Sequence, residues 1–210
     1  MSPPDSPAEV PEPGEWIELG PAPDGLAQIW LVERTALRRW LVDNHTQRNS
    51  VWLIAQRRKG TGPRIEYDDL VEEALCFGWV DSRTRTIDDA RMAYLFSPRR
   101  RSSGWAGSNK DRVERLLAAG LMEPSGLAVV EAAKADGSWA ALDDVEALVV
   151  PDDLAAEFAA QPAARMNFDA FPPGARKHIL GWIVSARTAP TRQRRIAETV
   201  TLAAKNIRAS

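Results

Sequence analysis

Between positions 79 and 109 the chain gathers Trp79, Asp81, Arg83, Tyr94, Arg99, Arg100, Ser103, Trp105 and Asn109. Guanidinium groups grip phosphate or carboxylate through paired N–H donors, and an indole offers a flat face for stacking. Such a set suits a planar, anionic or phosphorylated ligand. A helix opening at Ser108 would add its free backbone amides to the same anion. Pro98 ends the preceding strand, Gly104 and Gly107 let the backbone approach a ligand, and three successive arginines at 99–101 cannot all enter a core. At least one of them must face solvent. The plainer reading of the same residues makes the tryptophans core, pairs the arginines with Asp81, Asp88 and Asp89, and leaves Ser108 as a simple cap.

Other candidate chemistry is thinner. Gly60-Thr61-Gly62 after Arg57-Arg58-Lys59 lacks the Gly-Lys-Ser/Thr ending and the following helix of a nucleotide P-loop, so it reads as a strand-to-helix loop. His45 and His178 are the only histidines, and they have neither metal-ligand spacing nor a neighbouring cysteine. The pairs Asp68/Asp69, Asp88/Asp89 and Asp152/Asp153 stand at turns or helix starts, where carboxylates cap. No catalytic set, metal site or cofactor is implied, and a non-enzymatic role is favoured.

The elements that must position these residues follow from periodicity. Trp16–Leu19, Ile29–Val32 and Val51–Ala55 read as strands, with a helix opening near Thr35 between the last two. Asp69 and Glu72 have capping-box spacing ahead of an apolar face, and Gly78 ends that helix. Strands at 79–87 and 92–97 then pair across Asp88-Asp89, and strict alternation sets Trp79, Asp81 and Arg83 on one face. From Ser108 the pattern turns helical: segments to Gly120 and from Pro124 to Gly137 precede weaker ones at 142–148 and 152–160. Ile179, Trp182 and Ile183 face Ile196, Val200 and Ala203 in two final helices joined at Pro190-Thr191. The fold class is thus α+β: a small, largely antiparallel sheet with helices over residues 15–140, then a helical part over 141–210 ending in an antiparallel helix hairpin.

Composition bounds the rest. At 210 residues with 44% hydrophobic and 27% charged side chains, the chain can build a core without a staple. Its single cysteine, Cys76, sits among apolar neighbours as a small core residue. Residues 1–14 are Pro-rich and read as a disordered tail with neither a basic start nor an apolar stretch, which indicates a cytoplasmic protein with no membrane partner. Charge comes in blocks: residues 83–115 hold nine Arg/Lys against four Asp/Glu, residues 123–169 two against ten, and residues 174–208 eight against one. The middle block can neutralise its neighbours, which leaves nucleic acid, bound through Arg99 to Arg101 and the terminal hairpin, as the second choice of partner behind a small anionic or phosphorylated ligand.

Val51-Trp52-Leu53, then Glu73 through Asp81 (Glu-Ala-Leu-Cys-Phe-Gly-Trp-Val-Asp), then Pro98-Arg99-Arg100 with Ser103, Trp105 and Asn109, resemble the YdeI/OmpD-associated, or bacteriocin-protection, family. Leu180-Gly181-Trp182-Ile183 with Ala186, Thr191-Arg192 and Arg195-Ile196 is similar to the short helical domain at the C-terminus of that family. The resemblance runs over about residues 16–210. It implies a ligand-binding or stress-protection accessory protein and carries no catalytic residues over. The periplasmic setting attached to some members is not expected for a chain with this N-terminus.

Overall fold

A computed structural model describes residues 10–57 and 63–209. Most of the expected tail, residues 1–9, and the Gly60-Thr61-Gly62 loop lie outside them. Two compact units emerge, one of Met1–Ser103 with Asn109–Asp136, the other of Gly104–Ser108 with Gly137–Ser210.

The first unit runs β1 (Trp16–Leu19), β2 (Ala27–Leu31), α1 (Arg34–Asn44), β3 (Val51–Gln56), α2 (Tyr67–Cys76), β4 (Trp79–Thr86) and β5 (Arg91–Pro98), then most of α3 (Gly107–Ala118) and α4 (Pro124–Ala135). The strands form a five-stranded sheet in the order β1-β2-β3-β5-β4. Only β2 and β3 pair in parallel, because α1 returns the chain to the starting end of the sheet between them. The other pairings are antiparallel, so the α+β class read from periodicity holds. β3 is the middle strand, which is why Val51 to Ala55 are apolar on both faces and buried.

Alternation fails at one point. Asp81 stands opposite Phe96, yet Arg83 stands opposite Leu95, so a bulge absorbs one residue between them. Trp79 and Asp81 therefore share the face of Phe96 and Tyr94, while Arg83 and Arg85 turn to the other. This corrects the expectation that Trp79, Asp81 and Arg83 line one face.

Helix starts also differ from their sequence signals. Thr35 lies inside α1, whose N-cap is Glu33, and Ser108 lies inside α3. Asp69 and Glu72 do not box the start of α2, because Arg34 on α1 occupies them at 3.1 and 2.9 Å. Glu73 is enclosed beside them, accepting from Arg34 at 2.5 Å and Arg38 at 2.9 Å. Arg38 further reaches the Glu123 carboxylate and the Leu121 carbonyl, each at 2.7 Å. Cys76 is buried as expected, and burial together with the Glu73 charge pushes its thiol up to about 11, against the opposing hydrogen bond of Arg38.

α4 is seated against the end of α2. The Glu123 N–H donates to the Cys76 carbonyl at 3.0 Å, and a Cβ on Gly126 would stand 2.2 Å from that same oxygen. Gly126→Ala must push the backbones apart and is expected to destabilise by about 1–3 kcal/mol, the usual toll of overpacking. Urea unfolding checks it: an unchanged midpoint would show that α4 is not fixed there.

The second unit contains α5 (Asp143–Glu146), α6 (Asp152–Ala160), α7 (Pro162–Ala170), α8 (Pro173–Val184) and α9 (Ala189–Ala204). Leu154, Phe158, Phe168, Ile179, Ile183, Ile196 and Val200 form its core, so the matched stripes of the last two helices do face inward. Trp182 is only half-buried, with the Arg195 guanidinium over its ring at 5.0 Å. α7 is unforeseen: Pro162 starts it, and Ala164 and Phe168 bury one helical turn apart. Thr188, not Pro190-Thr191, caps α9 by accepting the Thr191 N–H at 3.3 Å. Among the described residues no helix is long and apolar enough to cross a membrane.

Candidate functional site

The bulge in β4 and the chain's excursion at 104–108 divide the expected constellation. One group collects at the start of α2, on the helical face of the sheet. Tyr67, the first residue of α2, donates its hydroxyl to Asp81 Oδ2 at 2.7 Å, and its ring lies 5.2 Å from that of Tyr94. Burial and the Asp81 contact both raise the Tyr67 hydroxyl above its ordinary range, so it stays protonated. Asn109 joins through Arg112, which donates to Asn109 Oδ1 at 3.1 Å and to Asp68 at 2.6 Å.

The arginine run splits by burial. Arg99 is half-buried, with Nη2 donating to the Ser103 carbonyl at 3.4 Å. Burial lowers its guanidinium to about 10, although Asp81 works the other way. Arg100 and Arg101 are exposed, as three successive arginines require. The turn after them places Ser102 at φ 59°, in the left-handed region, and Ser103 Oγ donates to the Arg100 carbonyl at 2.8 Å.

Trp79 and Trp105 are core side chains. Trp79 meets Trp40 edge-on at 6.3 Å and donates Nε1 to the His45 carbonyl at 3.3 Å. Trp105 belongs to the second unit and packs on Trp139 at 4.9 Å. At 1% and 2% exposure neither offers a free stacking face, which corrects the role expected for them. Arg83 lies over Trp52 on the opposite face of the sheet.

What the first unit offers a ligand is a cavity of about 310 Å³ where the end of β3, the start of β5 and the start of α2 converge. Gln56, Arg57, Arg64, Glu66, Tyr67 and Tyr94 line it. Arg64 donates to Glu66 at 2.7 Å, and the two tyrosine rings supply flat apolar wall. Of the nine residues expected in the ligand site, only Tyr94 lines this cavity, with Asp81 behind it as the anchor of Tyr67. Arg57 reads from sequence only as part of a strand-to-helix loop, and Arg64 and Tyr67 escape notice when the helix is begun at Asp69; starting it two residues earlier puts Tyr67 at its first position with Arg64 just ahead of it.

Elsewhere the ionisable groups serve the fold. His45 Nδ1 meets the Leu41 carbonyl at 2.8 Å, and His178 is exposed on α8. Arg192 grips Asp153 at 2.6 and 2.9 Å, a bond that holds the Asp153 carboxyl below its usual range. Arg195 donates to Ser185 Oγ at 2.9 Å and to the Trp182 carbonyl. Among the described residues no group of three or more His, Cys, Asp or Glu is placed to hold a metal ion.

Comparison with known proteins gives two matches within the chain. Residues 29–129 match a family described as Domain of unknown function (DUF8412). Residues 147–206 match one described as Bacteriocin-protection, YdeI or OmpD-Associated. No curated protein and no solved structure matches the chain. The second match spans α6 to α9, the part of the chain that holds the Gly181-Trp182 and Thr191-Arg192 residues of the resemblance. Over residues 147–206 the chain is similar to the family described as Bacteriocin-protection, YdeI or OmpD-Associated, in line with the resemblance read from its sequence.

Proposed function

We propose that this is a non-catalytic binding protein for a small anionic or phosphorylated ligand with a planar part, held in the tyrosine cavity and serving a ligand-binding or stress-protection role in the cytoplasm. The observation that carries this is the convergence of Arg57 and Arg64 with the paired rings of Tyr67 and Tyr94 around one cavity. Its volume is at the small end of the range for metabolite sites. Tyr67 is held by Asp81, so that wall is set before a ligand arrives and little ordering is needed on binding. A binding role also suits the protonation of the cavity wall: burial and the Asp81 contact raise the Tyr67 hydroxyl, so it is not an activated nucleophile at neutral pH.

A thermal-shift screen of nucleotides, sugar phosphates and carboxylates on the full chain tests it, since a ligand that binds the native state alone raises the melting temperature. At least one member of the panel should do so. Arg57→Ala should then weaken that ligand by roughly 1.5–3 kcal/mol, the worth of a hydrogen bond to a charged group. Tyr94→Ala should weaken it as well. A panel without a hit, or a hit that both variants bind as tightly as the wild type, would sink the proposal.

A further inference from the structure

A groove of about 510 Å³ lies wholly within the second unit, between α5 and α8. Gly174, Lys177, His178, Gly181, Trp182 and Ser185 form one wall, and their spacing of three and four residues puts them along a single face of α8 and its C-cap. Leu142, Val145 and Glu146 form the other wall. The groove is open because two positions of the α8 face carry no side chain. A Cβ on Gly174 would meet nothing within 4 Å, and one on Gly181 would only touch Val145 at 3.8 Å. Neither glycine has a positive φ, so backbone conformation calls for glycine at neither place, and glycine inside a helix is less stable than alanine. What the two glycines supply is a clear floor beside the Trp182 indole.

The polar groups of the groove divide by role. Its acceptors are engaged: Glu146 Oε2 accepts from Lys177 at 2.6 Å and Oε1 from the Gly107 N–H at 3.2 Å. Ser185 Oγ accepts from Arg195 and donates to the Trp182 carbonyl, both at 2.9 Å. Its donors are free. Among the described residues the Trp182 indole N–H and the His178 ring make no hydrogen bond. Both can be reached from the groove, since Trp182 is half-buried with its Nε1 accessible and His178 is exposed. The Lys177 ammonium has three donors and spends one on Glu146. A ligand here must bring acceptor oxygens.

Charge and wall chemistry narrow its class. The Lys177 charge is balanced by Glu146, and that carboxylate opposes a doubly charged phosphate more strongly than a single carboxylate. Leu142, Val145 and the Trp182 ring offer apolar surface to a flat body. Arg195 lies over the Trp182 ring at 5.0 Å but is not part of the groove wall, so it backs the side of the indole turned away from the groove. We infer that the groove between α5 and α8 binds a small aromatic monocarboxylate. Its carboxylate is held by His178, Trp182 Nε1 and Lys177, and its ring lies over Gly181 against Trp182 and Val145. The site belongs to a different unit from the tyrosine cavity and does not rest on it.

The test titrates the full chain with phenylacetate and with 1-naphthoate, following the tryptophan indole N–H signals in a nitrogen–proton correlation spectrum. Trp182→Phe identifies the Trp182 signal by its loss. That signal should move with either carboxylate and should not move with phenyl phosphate or benzylamine at the same concentrations. Gly181→Leu fills the floor of the groove and should abolish the shift. His178→Ala, an exposed change that leaves the fold intact, should weaken binding on the order of tenfold, as expected for one hydrogen bond to a charged group. Arg57→Ala should bind the carboxylates like the wild type. The inference is overturned if neither carboxylate moves the Trp182 signal, if phenyl phosphate or benzylamine moves it equally, or if His178→Ala or a folded Gly181→Leu protein binds like the wild type. Should Arg57→Ala lose the carboxylates while Gly181→Leu and His178→Ala keep them, they belong to the tyrosine cavity: this inference then falls and the proposed function stands.

Discussion

Glu73→Ala is expected to lower the stability of the protein by about 3–5 kcal/mol, the range for removing one partner from a buried ion pair. The side chain of Glu73 is 3% exposed and, among the described residues, is the one acceptor shared by Arg34 and Arg38. Deleting it leaves two half-buried guanidiniums, one turn apart on α1, without the carboxylate they share. Asp69, Glu72 and Glu123 hold the far N–H groups of those arginines and cannot move inward without releasing them. A typical domain has only about 5–15 kcal/mol to lose, so such a variant should be largely unfolded at moderate denaturant. Glu73→Gln keeps the shape and one acceptor and should lose less. Equal unfolding midpoints for wild type and Glu73→Ala would mean that the network contributes nothing to the fold.

Trp79→Ala is expected to be comparably damaging, at about 3–5 kcal/mol for a large aromatic removed from a core. The indole is enclosed by Trp40 and tied to the His45 carbonyl, and it stands where β4 meets Pro98 of β5. Arg100→Ala, on an exposed side chain two positions beyond Pro98 at the end of β5, should change stability by no more than about 0.5 kcal/mol. Measuring both by denaturant titration separates fold from surface within one sequence motif. A Trp79→Ala protein as stable as the wild type would return that indole to the list of candidate ligand contacts.

The contrast shows what the sequence made legible. Strand and helix positions came through almost complete, because buried strands such as Val51 to Gln56 and amphipathic helices such as α9 declare themselves through local apolar period. The α+β class followed. What stayed hidden depends on contacts distant in the chain. A bulge between Asp81 and Arg83 leaves no mark on alternation, so Arg83 was set beside Trp79 when it lies with Trp52. The capping signal at Asp69 and Glu72 was displaced by Arg34, more than thirty residues earlier, whose charge outbids a backbone amide for those carboxylates. Trp105 looked like a ligand contact by its basic neighbours, yet its partner is Trp139. Tyr67 and Arg57 are brought together only by the meeting of β3 with α2.

The pentapeptide Gly104–Ser108 sits with the second unit although both flanking segments belong to the first. Trp105 stacks there on Trp139, and Gly104 is so close to Leu142 that a Cβ would meet its side chain at 2.8 Å. Recombination between related genes anywhere from codon 109 to codon 136 would therefore join a Trp139 and Leu142 from one parent to a Trp105 and Gly104 from another. Chimaeras of that kind inherit a mismatched lock, whereas a crossover just after codon 146 keeps Gly104, Trp105 and Gly107 with the Trp139, Leu142 and Glu146 they meet.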